Sequence, residues 1–156
     1  MKVYSFKRNL KLPISLEDAW AFFSNPENLS KITPPEMSFE IISISGKESI
    51  YAGQIIKYQV SILPFLKVNW VSEITTVNKP YLFIDEQRAG PYSFWHHQHH
   101  FHRLNDGVEM IDEVNYSVPL GILGQLANRL FVARELERIF EYRSDVLVKT
   151  FNAQQT

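Results

Sequence analysis

The chain has 156 residues, 45% of them hydrophobic and 21% charged, with a formal net charge of -1. That length and balance describe one ordinary domain able to bury a core without disulfides, and they exclude a disordered chain. The near-neutral charge leaves no basic stripe for a nucleic acid, and the absence of cysteine removes disulfides, thiol nucleophiles and thiolate metal sites together.

Residues 2–12 alternate in character and read as a strand, not as a signal peptide. Ser15 with Asp18 three residues on is a capping-box pattern, and Ala19, Trp20, Phe22 and Phe23 supply the apolar stripe of a short helix. Asn25-Pro26 restarts it as an N-cap followed by proline. Two short helices are therefore expected over about 15–32, ended by Pro34-Pro35. The period then changes to two. Strands are expected at Phe39–Ser45, Gln54–Ile62, Leu66–Val77, Tyr81–Arg88, Tyr92–Leu104 and Val108–Val118. Gly46, Gly53, Pro64, Asn78-Lys79-Pro80, Gly90-Pro91 and Asp106-Gly107 punctuate them. Such short links imply an antiparallel meander.

From Gly121 the period returns to 3.6, with Leu123, Leu126, Ala127, Leu130, Ala133, Leu136, Phe140 and Leu147 as the stripe. A helix of about 28 residues would be about 42 Å long, enough to cross the domain; the tail after about Thr150 is expected to fray. No stretch approaches the roughly 18 apolar residues of a membrane span, and the cytoplasm is the expected location. The fold class is α+β: about seven antiparallel strands curved around a long C-terminal helix, one domain over 1–156, with a cavity expected between sheet and helix.

All five histidines fall in Trp95-His96-His97-Gln98-His99-His100-Phe101-His102. With Asp106-Gly107 as a hairpin turn, Asn105 pairs with Val108. That register sets Phe101 opposite Asp112, His99 opposite Val114, His97 opposite Tyr116 and Trp95 opposite Val118. One face carries these eight residues and turns toward the helix. The other, with His96, His100 and His102, turns to water. Burying His97, His99 and Asp112 unpartnered would cost about 2–7 kcal/mol each, so each needs a partner in the core, in water or in a ligand.

Four roles remain open for this trio: hydrogen-bonded core, polar anchors of an apolar pocket, an acid–base pair, or metal ligands with Asp112 as the third. Two histidines without a defined third ligand do not specify a metal, so no metal or cofactor is assigned. Trp70 is a further candidate pocket residue, with a core role as its alternative. Asp85 and Glu86 are adjacent, point to opposite faces and read as structural.

Three segments carry a resemblance: Phe83–Tyr92 running into Trp95–Phe101, Asp112–Gly121, and Leu136–Arg143. With the element order, they resemble the START and polyketide cyclase-like (SRPBCC, helix-grip) superfamily, in particular a bacterial subgroup of ligand-binding SRPBCC domains. The resemblance implies a cavity for a small hydrophobic molecule of lipid, polyketide or aromatic type. Trp70, Trp95, His97, His99, Phe101, Asp112, Tyr116 and Leu130 are the expected ligand-binding residues. The alternative is a cyclase, dehydratase or hydrolase using His97, His99 and Asp112 for catalysis. The expected partner is that small ligand, with no nucleic acid and no membrane span; the oligomeric state is left open.

Overall fold

The computed structural model describes residues 1–46, 49–63 and 66–152. The turn expected at Pro64 and the chain end beyond Asn152 lie outside the described residues. Seven antiparallel strands form one curved sheet in the order β1-β7-β6-β5-β4-β3-β2. They are β1 (Tyr4–Leu12), β2 (Glu40–Ile44), β3 (Gln54–Leu63), β4 (Leu66–Asn78), β5 (Leu82–Ala89), β6 (Phe94–Leu104) and β7 (Gly107–Ser117). Helix α1 (Leu16–Phe23) and a 3-10 helix over Pro26–Ile32 follow β1, and a second 3-10 turn spans Pro35–Met37. The C-terminal helix runs as α2 (Gly121–Ala127), a π segment (Asn128–Val132) and α3 (Ala133–Asn152). No helix among the described residues is long and apolar enough to cross a membrane.

The capping signals act as their chemistry requires. Ser15 Oγ accepts from the Asp18 backbone N–H at 3.0 Å and donates to the Asp18 carboxylate at 2.6 Å. Asn25 accepts from Glu27 N–H at 3.0 Å, with Pro26 at the first helical position. The helix that follows is 3-10 rather than α. Register shifts at Ile41/Ser43, Ser61/Leu63, Val71/Ser72 and Ile74/Thr76 bend the β2, β3 and β4 side of the sheet.

The β6–β7 hairpin differs from expectation by two residues. Leu104 pairs with Gly107, so Asn105-Asp106 make the turn. Gly107 serves another need: a Cβ there would lie 2.2 Å from the Leu12 carbonyl oxygen, where β1 ends against the hairpin. A shift of two preserves every face, because side chains alternate with period two, but it changes every partner. Trp95 lies opposite Tyr116, His97 opposite Val114, His99 opposite Asp112 and Phe101 opposite Met110.

The helix also departs from its apolar pattern. Leu136, Phe140, Arg143, Leu147 and Phe151 of α3 are buried, while Leu123, Leu126 and Leu130 are exposed by 72%, 54% and 46%. Asn128 and Gly124 turn inward in their place. A π turn holds one more residue than an α turn, which rotates everything N-terminal to it by about 100°. Leu123, Leu126 and Leu130, which share the 3–4 spacing of the stripe, are carried to the far side of the helix from it.

The buried interior falls into two clusters. One gathers Leu12, Leu16, Trp20, Phe83, Phe101, Met110, Leu147 and Phe151 around α1 and the end of α3. The other gathers Val60, Trp70, Trp95, Val114, Tyr116, Leu136 and Phe140.

Candidate functional site

Three neighbouring strands bring four ionisable groups to the join between these clusters. Strand β6 presents His97 and His99, two residues apart and so on one face. Strand β7 presents Asp112 directly opposite His99, and β5 presents Asp85 directly opposite His97. His97 Nε2–H donates to Asp112 Oδ1 at 2.9 Å, and His99 Nε2–H donates to Asp85 Oδ1 at 2.9 Å. The second nitrogens are nearly as close. His99 Nδ1 lies 3.0 Å from Asp112 Oδ1, and His97 Nδ1 lies 3.4 Å from Asp85 Oδ1. The 3.0 Å contact is bent too far from the ring axis to be a good hydrogen bond.

Aromatic rings wall the cluster. His99 stacks on Phe83 with centroids 4.0 Å apart, the two imidazoles lie 3.8 Å apart, and His97 meets the edge of Phe140 on α3 at 5.7 Å. His97, His99 and Asp112 are buried and Asp85 nearly so. Burial alone would raise the Asp112 carboxyl, but hydrogen bonds from His97 and His99 and their charges outweigh it and hold it far below the usual carboxylate range. Asp85 is lowered in the same way, with burial opposed by His99, His97 and a hydrogen bond from Trp95. Burial and the neighbouring charge of His99 lower His97. Burial acts on His99 too, yet the two carboxylates beside it, Asp112 and Asp85, prevail and raise it. Beside the same pair of carboxylates the two rings thus shift in opposite directions, His97 down and His99 up.

Beside this cluster lies a packed group of aromatic rings. Trp70 stacks on Tyr58 at 5.7 Å and meets Tyr92 at 5.4 Å and Trp95 at 5.1 Å; Tyr92 meets Tyr116 at 5.8 Å. From the helix, Arg143 lays its guanidinium 4.7 Å over the Phe140 ring, and Asn128 of the π segment is buried. Trp70 Nε1, Arg143 Nε and Asn128 Oδ1 are buried and have no hydrogen-bond partner among the described residues.

Of the residues expected to bind ligand, Trp70, Trp95 and Tyr116 belong to this aromatic cluster, and His97, His99 and Asp112 are buried beside it. Phe101 is fully buried in the other cluster against Trp20 and Phe83. Leu130 stands on the exposed side of the helix. Sequence reasoning misses Asp85, Arg143 and Asn128. Asp85 is legible in principle: it stands two residues from Phe83 on one strand, hence on the same inward face. Arg143 falls on the α3 stripe, three residues after Phe140. Asn128 carries no signal, because only the π segment turns it inward. The outer histidines are apart from the site: His96 contacts Glu86 at 2.8 Å, and His100 contacts Gln98 at 3.1 Å and stacks on His102.

No model of a known protein family matches the chain, and no curated protein matches it. Solved structures do. The Zhui aromatase/cyclase from a Streptomyces species superposes with a TM-score of 0.77 at 12% identity, over 99% of this chain and 97% of that one. A norcoclaurine synthase point mutant from Thalictrum flavum, in complex with a transition-state analogue, gives 0.71 at 14% identity over 99% and 98%. TTHA0849 from Thermus thermophilus gives 0.70 at 15% identity over 99% and 100%. The chain therefore has the fold of these structures, a helix-grip arrangement of a curved antiparallel sheet and a long C-terminal helix.

Proposed function

We propose that this protein binds a small, largely apolar, oxygen-bearing aromatic or polyketide-like molecule between the sheet and the C-terminal helix. The observation that carries the proposal is a set of buried polar atoms with no partner among the described residues, on or beside the packed aromatic rings between sheet and helix: Trp70 Nε1, Arg143 Nε and Asn128 Oδ1. A buried donor or acceptor left unpaired costs about 1–3 kcal/mol. An aromatic wall with a few polar groups is how small-molecule sites are built. A ligand oxygen suits the indole and guanidinium donors, and a ligand hydroxyl suits the Asn128 carbonyl. The fold it shares with an aromatase/cyclase and a norcoclaurine synthase supports the same class of ligand.

Native mass spectrometry of the protein as purified, repeated after denaturation, tests this directly. An organic mass released on unfolding is the expected result. Titration with 1-naphthol, followed by quenching of Trp70 and Trp95 fluorescence, should give micromolar affinity that Trp70→Ala weakens at least tenfold. Loss of the single Trp70 donor and its stacking area is worth more than the roughly 1.4 kcal/mol that a tenfold change represents. A bare protein mass together with no quenching would end the proposal.

A second reading is an enzyme of cyclase, dehydratase or hydrolase type. It is favoured by the position of His97, His99, Asp85 and Asp112 together, beside the same aromatic cluster. It predicts that the released molecule, or a precursor of it, is turned over, and that His99→Ala abolishes turnover while the fold persists. An unchanged rate in that variant would dispose of it.

A further inference from the structure

Each of the two imidazoles has both nitrogens within 3.4 Å of a carboxylate oxygen. A neutral imidazole carries one N–H and one lone pair. Two neutral rings therefore fill only two of these contacts and turn lone pairs against carboxylate oxygens in the others. Filling all of them with protons requires two imidazolium ions side by side, 3.8 Å apart between ring centres, in a buried site. The geometry has a second solution, in which a cation stands where the lone pairs meet the carboxylate.

The geometry points to a mononuclear site for a divalent transition metal of the zinc type. Its ligands are His97 Nδ1, His99 Nε2 and the Asp85 carboxylate, and Asp112 orients both imidazoles from behind. Four observations support it. Asp85, His97 and His99 each offer a ligand atom, and those atoms lie within 4.8 Å of one another. Asp85 Oδ1 stands 3.4 Å from His97 Nδ1 and 2.9 Å from His99 Nε2. Ligands at zinc bond lengths in a tetrahedron stand about 3.3 to 3.5 Å apart, so one contact already fits and the other opens by a few tenths of an ångström. The remote nitrogens, His97 Nε2 and His99 Nδ1, both face Asp112 Oδ1, at 2.9 and 3.0 Å. That is the carboxylate–histidine–metal arrangement, in which the outer carboxylate fixes the tautomer and raises ligand basicity. Finally, the charges close: two carboxylates and a dication sum to zero with both imidazoles neutral. Two histidines and a carboxylate leave a fourth position for water or a ligand oxygen. The inference stands whether or not the aromatic cluster takes an organic molecule.

The test uses the full chain after dialysis against EDTA, titrated with zinc chloride by calorimetry, with the bound metal counted by elemental mass spectrometry. The expected result is one zinc per chain at micromolar affinity or tighter, and a melting temperature higher with zinc than with EDTA. Cobalt(II) should give the intense visible bands of a four-coordinate site. His99→Gln and Asp85→Asn should weaken zinc binding by about 100-fold or more, and Asp112→Asn by about 10 to 100-fold. Asp85→Asn keeps the shape of the side chain, and a circular dichroism melt run beside it keeps the result interpretable should His99→Gln unfold. His100→Ala, on the outer face, should bind zinc as the parent does. No stoichiometric zinc would overturn the proposal. So would zinc binding that survives Asp85→Asn and disappears in His100→Ala.

Discussion

Asp112 accepts from His97 and faces His99 while itself being buried. Its removal therefore takes the hydrogen-bond acceptor from His97 Nε2 and the carboxylate charge from both rings, leaving them Asp85 alone. In the metal-stripped protein, Asp112→Ala should lower stability by about 3–5 kcal/mol, the range for breaking one side of a buried charged pair. Urea unfolding with an unchanged denaturant slope would measure it. His99→Ala in the same background should cost less than it does alone. Residues in one network couple by about 0.5–3 kcal/mol, and a double-mutant cycle reads the coupling directly. Strict additivity would mean that the 3.0 Å approach of His99 to Asp112 carries no energy. At this scale the sequence shows the faces but not the partners. His97, His99 and Asp112 are legible as inward polar residues from the alternation of strands β6 and β7. Asp85 is hidden because it and its neighbour Glu86, pointing to opposite faces, read as a structural pair of acids.

The helices and turns show where pattern reading holds and where it stops. The capping box at Ser15 and the N-cap at Asn25 are local chemistry, and the structure repeats them. The stripe from Leu136 to Leu147 is also local and packs as its period requires. Leu123, Leu126 and Leu130 share that period in the sequence but not in space, because the π segment between Asn128 and Val132 resets the phase. Two substitutions separate these cases. Leu147 is 1% exposed, packed in the cluster under α1, so Leu147→Ala should cost about 2–5 kcal/mol. Leu130→Ala, on the exposed side, should change stability by no more than about 0.5 kcal/mol. Thermal melts of both would decide it; a large loss in Leu130→Ala would mean that the π segment does not set the helix phase. The β6–β7 turn belongs to the same lesson. Asp106-Gly107 is a good turn pair in isolation, yet Gly107 is claimed by the carbonyl of Leu12, a contact distant in sequence that no local pattern reveals.

The molecule as a whole closes a curved sheet over one helix, with β1 paired to β7, and that closure buries phenols as well as hydrocarbons. Burial lifts the Tyr58 hydroxyl well above its ordinary value, helped by the negative charge of Asp85. Burial likewise lifts Tyr92, with Tyr116 and Glu135 adding to it. A group whose folded value is raised contributes stability that is fully present below its unfolded value, near 10 for tyrosine, and is lost as pH rises through the folded value. Between those limits the unfolded chain releases a proton that the folded chain keeps. Each such phenol then weakens folding by about 1.36 kcal/mol per pH unit, which a margin of about 5–15 kcal/mol cannot absorb for long. Alkaline unfolding should therefore begin above about pH 10, and the last phenolate absorbance should appear together with the loss of near-ultraviolet circular dichroism. Tyr92→Phe removes one of these protons and should move that midpoint to higher pH, although it removes no charge at neutrality. If all seven tyrosines ionised while the native circular dichroism persisted, the aromatic cluster around Trp70 would be open to hydroxide and solvent, and its unclaimed polar atoms would already be satisfied by water instead of awaiting a ligand.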